Sequence, residues 1–164
     1  MEKVLIDTTG LWGLTFADSK YHPFMAKLAK EKMLIAHSAQ LLELFVIIYR
    51  EKTNGGRNLQ AGLEHVNDVA SFYLEIEKLR LLGVNVSFYQ VSEMNIIKAV
   101  ELISRHRDLF VREGPQQTRW LEFIDAITAA IWSERGLTLY TADNKLMKFG
   151  DLYALRYKAI EAEA

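Results

Sequence analysis

The chain has 164 residues, half of them hydrophobic and a quarter charged, with a formal net charge of -1. That length is enough for one domain, residues 1–164, with a sizeable core, and the near-neutral balance excludes general attraction to nucleic acid, so such a contact needs a local basic patch or bridging cations. Cysteine is absent, which excludes disulfides, thiolate metal ligands and thiol nucleophiles and fits a reducing, cytoplasmic setting.

"KVLID" (Lys3 to Asp7) reads as a short buried strand, entered directly and with no signal-peptide pattern before it. A helical stretch follows from about Leu11 to Lys32, broken near Pro23 because proline disrupts a helix interior. "MLIAHS" (Met33 to Ser38) is a second apolar run, with Ser38 as N-cap of a helix over Ala39 to Lys52. "TNGGRN" (Thr53 to Asn58) is a turn by composition. Leu59 to Leu82 reads as helix, stopped by Gly83. Asn85 to Val91 is a third strand, and Ser92 caps a helix running to about Arg107. Arg112 to Thr118 is loop, Arg119 to Gly136 a strong helix closed by glycine, Leu137 to Ala142 a fourth strand and Leu152 to Tyr157 a fifth. No window approaches the roughly eighteen uninterrupted apolar residues of a membrane helix. Apolar strands alternating with helices predict a parallel sheet covered on both faces, with ligands at the carboxyl ends of the strands.

Four acids fall at that edge. Asp7 closes the first strand and Asp143 follows the fourth. Glu43 is the only charged residue between Lys32 and Arg50, early in the helix after the second strand. Asp125 lies in "WLEFIDAITAAIW", where Glu122, Asp125 and Thr128 form one polar stripe at i, i+3, i+6. Each has a plainer role on its own: Asp7 as a helix cap, Glu43 in a buried ion pair, Asp125 on a solvated stripe, Asp143 in a turn. Together they pose a problem of cost. An unpaired buried carboxylate costs several kcal/mol, and converging carboxylates force protons onto one another. A divalent cation relieves both penalties; magnesium and manganese favour oxygen donors.

The ordered set "LIDTTGLW", Glu43 in "SAQLLEL", Asp125 in "FIDAITAAI" and Asp143 in "LYTADNKL" resembles the PIN-domain family of ribonucleases, nearest to its VapC-like toxins. The last two acids stand eighteen residues apart, and the order matches from Lys3 to about Leu155. The resemblance implies an α/β three-layer α/β/α sandwich with a mostly parallel, about five-stranded sheet. It implies a groove that binds Mg2+ or Mn2+ and hydrolyses RNA, with Asp7, Glu43, Asp125 and Asp143 as its catalytic, metal-binding acids. Thr9 and Thr141 match the supporting hydroxyl residues, and Glu122 stands beside Asp125 as a supporting acid. An RNA substrate, an antitoxin protein and a homodimer are the implied partners, with no membrane and no nucleotide cofactor. The extra length falls at Leu59 to Leu82 and before Arg119.

Two alternatives are a PIN-fold scaffold without cleavage and an aspartyl-phosphate phosphatase. The second fits poorly, because the general acid expected two residues after Asp7 is Thr9. A receiver domain needs an acid pair after the first strand, and no phosphate-binding glycine loop occurs. His22, His37, His65 and His106 show no ligand spacing and read as surface or packing residues. "SRHRD" (Ser104 to Asp108) with Arg112 and Arg119 is a basic cluster, read as a solvated helix end or as a guide for RNA phosphates. Trp120 and Trp132 are expected in the core, and Trp12 is more open.

Overall fold

The computed structural model describes residues 1–53, 74, 77, 81 and 83–163, the side chains at 45 and 47–53 apart. The predicted turn Thr53 to Asn58 and helix Leu59 to Leu82 lie almost wholly outside the described residues.

Five strands build one fully parallel sheet: β1 (Glu2–Ile6), β2 (Lys32–His37), β3 (Val86–Tyr89), β6 (Thr138–Thr141) and β7 (Tyr157–Ala159). Their spatial order is β3-β2-β1-β6-β7. The chain therefore grows outward from β1 to β3, then returns to the far side of β1. Ligands of open α/β sheets bind where such a reversal leaves adjacent strand ends diverging, here between β1 and β6.

Alternation along β1 divides the core. Val4 and Ile6 join the cluster with Leu11, Leu14, Met25, Leu28 and Leu44, whereas Leu5 joins Phe110, Ile127, Trp132, Leu139 and Phe149 on the other face. Helices α1 (Thr8–Thr15), α2 (His22–Glu31) and the start of α3 (Ser38–Thr53) supply the first layer. Helices α4 (Glu93–Arg105), α5 (Arg107–Phe110), α6 (Phe123–Arg135) and α7 (Asn144–Tyr153) supply the second. Both sheet faces are covered, which is why the strands read as continuous apolar runs. No helix among the described residues is long and apolar enough to cross a membrane.

Several boundaries differ from the sequence expectation. The expected break near Pro23 is present between α1 and α2, but Pro23 itself sits in the first turn of α2, where a missing N–H costs nothing. Ser38 lies within α3, and its hydroxyl accepts from the Val91 amide. Ser92 does cap α4, in a reciprocal box with Asn95. Arg119 to Leu121 is strand, not helix: β4 (Val111–Glu113) and β5 (Arg119–Leu121) form an antiparallel hairpin around a 3-10 turn (Pro115–Gln117). Trp120, expected in the core, is 47% exposed on it. The fifth strand begins at Tyr157, because α7 runs on to Tyr153 and Ala154 turns the chain in a left-handed conformation. Gly136, at φ 62°, closes α6 as expected.

Candidate active site

Asp7 follows β1 and caps α1. Its Oδ1 accepts from the Gly10 amide at 2.7 Å and its Oδ2 accepts from the Thr141 hydroxyl at 2.5 Å. Gly10 allows that approach, since a Cβ there would press to 3.0 Å on Ile6 Cβ. The Asp7 amide also donates to the Tyr140 carbonyl, which joins the ends of β1 and β6. Asp143 caps α7, its Oδ1 accepting from the Lys145 and Leu146 amides at 2.6 and 3.2 Å. Its own amide donates to the Thr141 hydroxyl oxygen at 2.9 Å. Thr141 thus connects the two aspartates. The plainer reading of Asp7, as a helix cap, is correct, whereas Asp143, expected in a turn, is also a helix cap; both roles coexist with the place of the two acids at the strand ends.

Glu43 is positioned through Gln40, one turn earlier on the same face of α3. Gln40 is fully buried; its Nε2 donates to the Ile6 carbonyl and its Oε1 accepts from the His37 amide, both at 2.8 Å. These bonds fasten the first turn of α3 across the ends of β1 and β2. Glu43 Oε2 then accepts a short hydrogen bond from the Thr8 hydroxyl. Of the two threonines that follow Asp7, Thr8 is the one whose hydroxyl reaches an acid among the described residues. Asp125 lies in the first turn of α6, where the helix dipole favours negative charge. Among the described residues no hydrogen bond or ion pair reaches its carboxylate.

These acids feel one another's charge. Burial pushes the Asp125 carboxyl up to about 8, and Glu43, Asp143, Asp7 and Glu122 all add to the rise. Burial likewise lifts Asp7 to about 6, against hydrogen bonds from Thr141 and Gly10, and Asp143 contributes a further push. Glu43 is raised by burial as well, opposed by the Thr8 hydrogen bond. Asp7 is sealed at 2% exposure, whereas Glu43, Asp125 and Asp143 keep part of their surface in solvent. Glu122 is the exception with a basic partner: Arg112 Nε lies 2.6 Å from its Oε1, off the N–H direction, so the contact is an ion pair more than a hydrogen bond. The donors suit a hard divalent cation, being oxygen atoms with spare lone pairs and too much shared negative charge. They do not form a closed cage. Among the described residues, no three acid or histidine side chains converge tightly enough to hold a metal ion as they stand.

Gln40, Thr8 and His37 were not singled out for site roles in the sequence. His37 is buried at the end of β2, its Nε2 2.8 Å from the Thr128 Oγ1, and burial drives its pKa down to about 4. Thr128 belongs to the stripe of Asp125, so the stripe runs inward to His37 instead of outward to solvent. The Gln40–Glu43 spacing was the available signal for Gln40.

A parallel sheet in the order β3-β2-β1-β6-β7, sandwiched by helices, is the fold this chain shares with solved VapC structures, that of the PIN-like α/β/α sandwich. Among solved structures, Mycobacterium tuberculosis VapC20, a sarcin–ricin loop cleaving toxin, is similar with a TM-score of 0.57 and 21% identity, over 90% of this chain and 95% of that chain. VapBC2 from Rickettsia felis, bound to a promoter DNA fragment, gives 0.49 and 14%, over 97% of this chain and 99% of that one. VapBC-5 from Mycobacterium tuberculosis gives 0.48 and 13%, over 99% and 100%. At these identities the likeness establishes the fold. No protein-family model and no curated protein matches the chain.

Proposed function

We propose that the chain is a Mg2+- or Mn2+-dependent endoribonuclease that hydrolyses RNA phosphodiester bonds, acting as the toxin of a toxin–antitoxin pair. The supporting observation is Asp125: a recessed carboxylate with no hydrogen bond or ion pair among the described residues, surrounded by acids. An arrangement that raises a carboxyl to about 8 is costly, and it suits a group awaiting a cation. Likeness in fold to a toxin that cleaves the sarcin–ricin loop adds the substrate class.

Asp7, Glu43, Asp125 and Asp143 would hold the cation. When bound, it supplies activation of water at neutral pH and neutralisation of charge on the scissile phosphate. The chain's own part is orientation. Thr141 and the Gly10 amide fix both oxygens of Asp7, and Thr8 fixes one oxygen of Glu43. The cap on α7 holds Oδ1 of Asp143 and leaves Oδ2 available. Asp125 must give up its proton for the site to fill.

An antitoxin is the proposed regulator, covering the acidic groove with an arginine or lysine turned toward the acids. A homodimer is supported by the exposed row Met94, Ile97 and Val100, at i, i+3, i+6 on α4. A non-catalytic scaffold is favoured by one fact, the open spacing of the acids. The readings separate on RNA cleavage with and without Mn2+, for the parent and Asp7→Asn. Asparagine still caps α1, so the variant folds. The parent should cut RNA only with the metal, and Asp7→Asn should not. Equal cleavage by the variant would refute the assignment; no cleavage by either would favour the scaffold.

A further inference from the structure

The β4–β5 hairpin leads directly into the helix that carries Asp125. Arg112 stands opposite Trp120 in its antiparallel register, and Glu113 opposite Arg119. Opposed residues share a face, as do alternate residues along a strand. Arg112, Gly114 and Trp120 therefore stand on one side, and the Arg112–Glu122 ion pair ties that side to the residue that precedes α6. Arg112 is near enough to Glu43 for its charge to be felt there.

Trp120 is held on this face by an unusual contact. A Cβ on Gly114 would come within 2.5 Å of its Cη2 and 2.7 Å of its Cζ3, so the indole lies against bare backbone. Nearly half of the residue remains in solvent. The chain's other two tryptophans are engaged elsewhere: Trp132 is fully buried, and Trp12 stacks on Phe16 with ring centroids 4.2 Å apart. A large π surface, braced by backbone and paired across the hairpin with an arginine whose charge reaches Glu43, is the chemistry that grips an unpaired base and its phosphate.

We infer that Trp120 is a substrate-binding residue that stacks on an unpaired RNA base flanking the cleaved bond, with Arg112 beside it to meet the adjoining phosphate. This rests on the ribonuclease reading and adds to it a preference for unpaired RNA and a residue that binds it. Arg112 also prevents the negative charge of Glu122 from repelling the strand.

The test compares the parent, Trp120→Phe, Trp120→Ala and Gly114→Ala on random-sequence single-stranded RNA with Mn2+, with folding checked by circular dichroism. Trp120→Ala should raise KM about tenfold with kcat little changed, and Trp120→Phe should stay near the parent. Gly114→Ala, which displaces the indole without removing it, should follow Trp120→Ala. In EDTA, RNA should quench the parent's tryptophan fluorescence, and the quench should vanish in Trp120→Phe. If the parent cuts RNA and Trp120→Ala keeps both KM and quench, stacking is refuted and the ribonuclease reading stands. If the parent fails to cut yet the quench depends on Trp120, stacking is supported and hydrolysis is not. If there is neither cleavage nor quench, both fail.

Discussion

Replacing Asp125 with asparagine should stabilise the metal-free protein, and increasingly so as the pH rises. The carboxyl ionises near 3.8 when free and at about 8 in the fold. A folded pKa above the unfolded one means that this acid favours the fold most below about 3.8, and that the advantage falls away until about 8. At roughly 1.36 kcal/mol per pH unit, the penalty is about 2 kcal/mol at pH 5, about 4 at pH 7 and near 6 above pH 8. Solvent access to part of the residue makes these values ceilings. Asparagine has the same shape and no charge to lose. Urea unfolding in EDTA at pH 5, 7 and 8.5 should show the variant ahead by a margin that widens with pH, at unchanged m-value. Mn2+ at a hundredfold excess over Kd should narrow the margin at pH 7 by about 2.7 kcal/mol, since only the protein that binds gains. A margin that does not change with pH would refute the reasoning.

Other predictions concern the groups around that acid. His37 titrates at about 4 in the fold against 6.5 when free, so its contribution has the opposite sign: it is present above 6.5 and lost as pH falls to about 4. His37→Gln should flatten that acid limb by up to about 3 kcal/mol, read from the difference between the two proteins' pH–stability curves. Gln40→Leu leaves the Ile6 carbonyl and the His37 amide without their buried partner. It should cost about 1–3 kcal/mol by urea unfolding and reduce cleavage by loosening Glu43.

The parts legible in the sequence were those whose signal is local. Apolar runs ending in acids marked β1 and β6, and Asp7 and Asp143 stand where those runs placed them. Asp125 was visible because one polar stripe, Glu122, Asp125 and Thr128, interrupts an otherwise apolar run. The hairpin was not legible: Val111–Glu113 and Arg119–Leu121 are three residues each, too short to show a period of two. Extending α6 back over Arg119 put Trp120 on a helical face that does not exist, hence the wrong expectation of burial. The last strand was misplaced because Leu152 and Tyr153 are apolar enough to read as strand, although they close α7. Gln40, Thr8 and His37 show no role as isolated polar residues. Their partners, Ile6, Glu43 and Thr128, are distant in sequence and meet them only when the sheet brings β1, β2 and α6 together.

The most direct test of the central claim is calorimetric titration of Mn2+ into the protein at pH 7, in two buffers of different ionisation enthalpy. At that pH Asp125 holds its proton and Asp7 largely does not, and cation binding must drive the proton off. The account predicts saturable binding that releases about one proton per chain, with binding and release both lost in Asp125→Asn. Binding that is the same in the variant, or no binding at all, would contradict it.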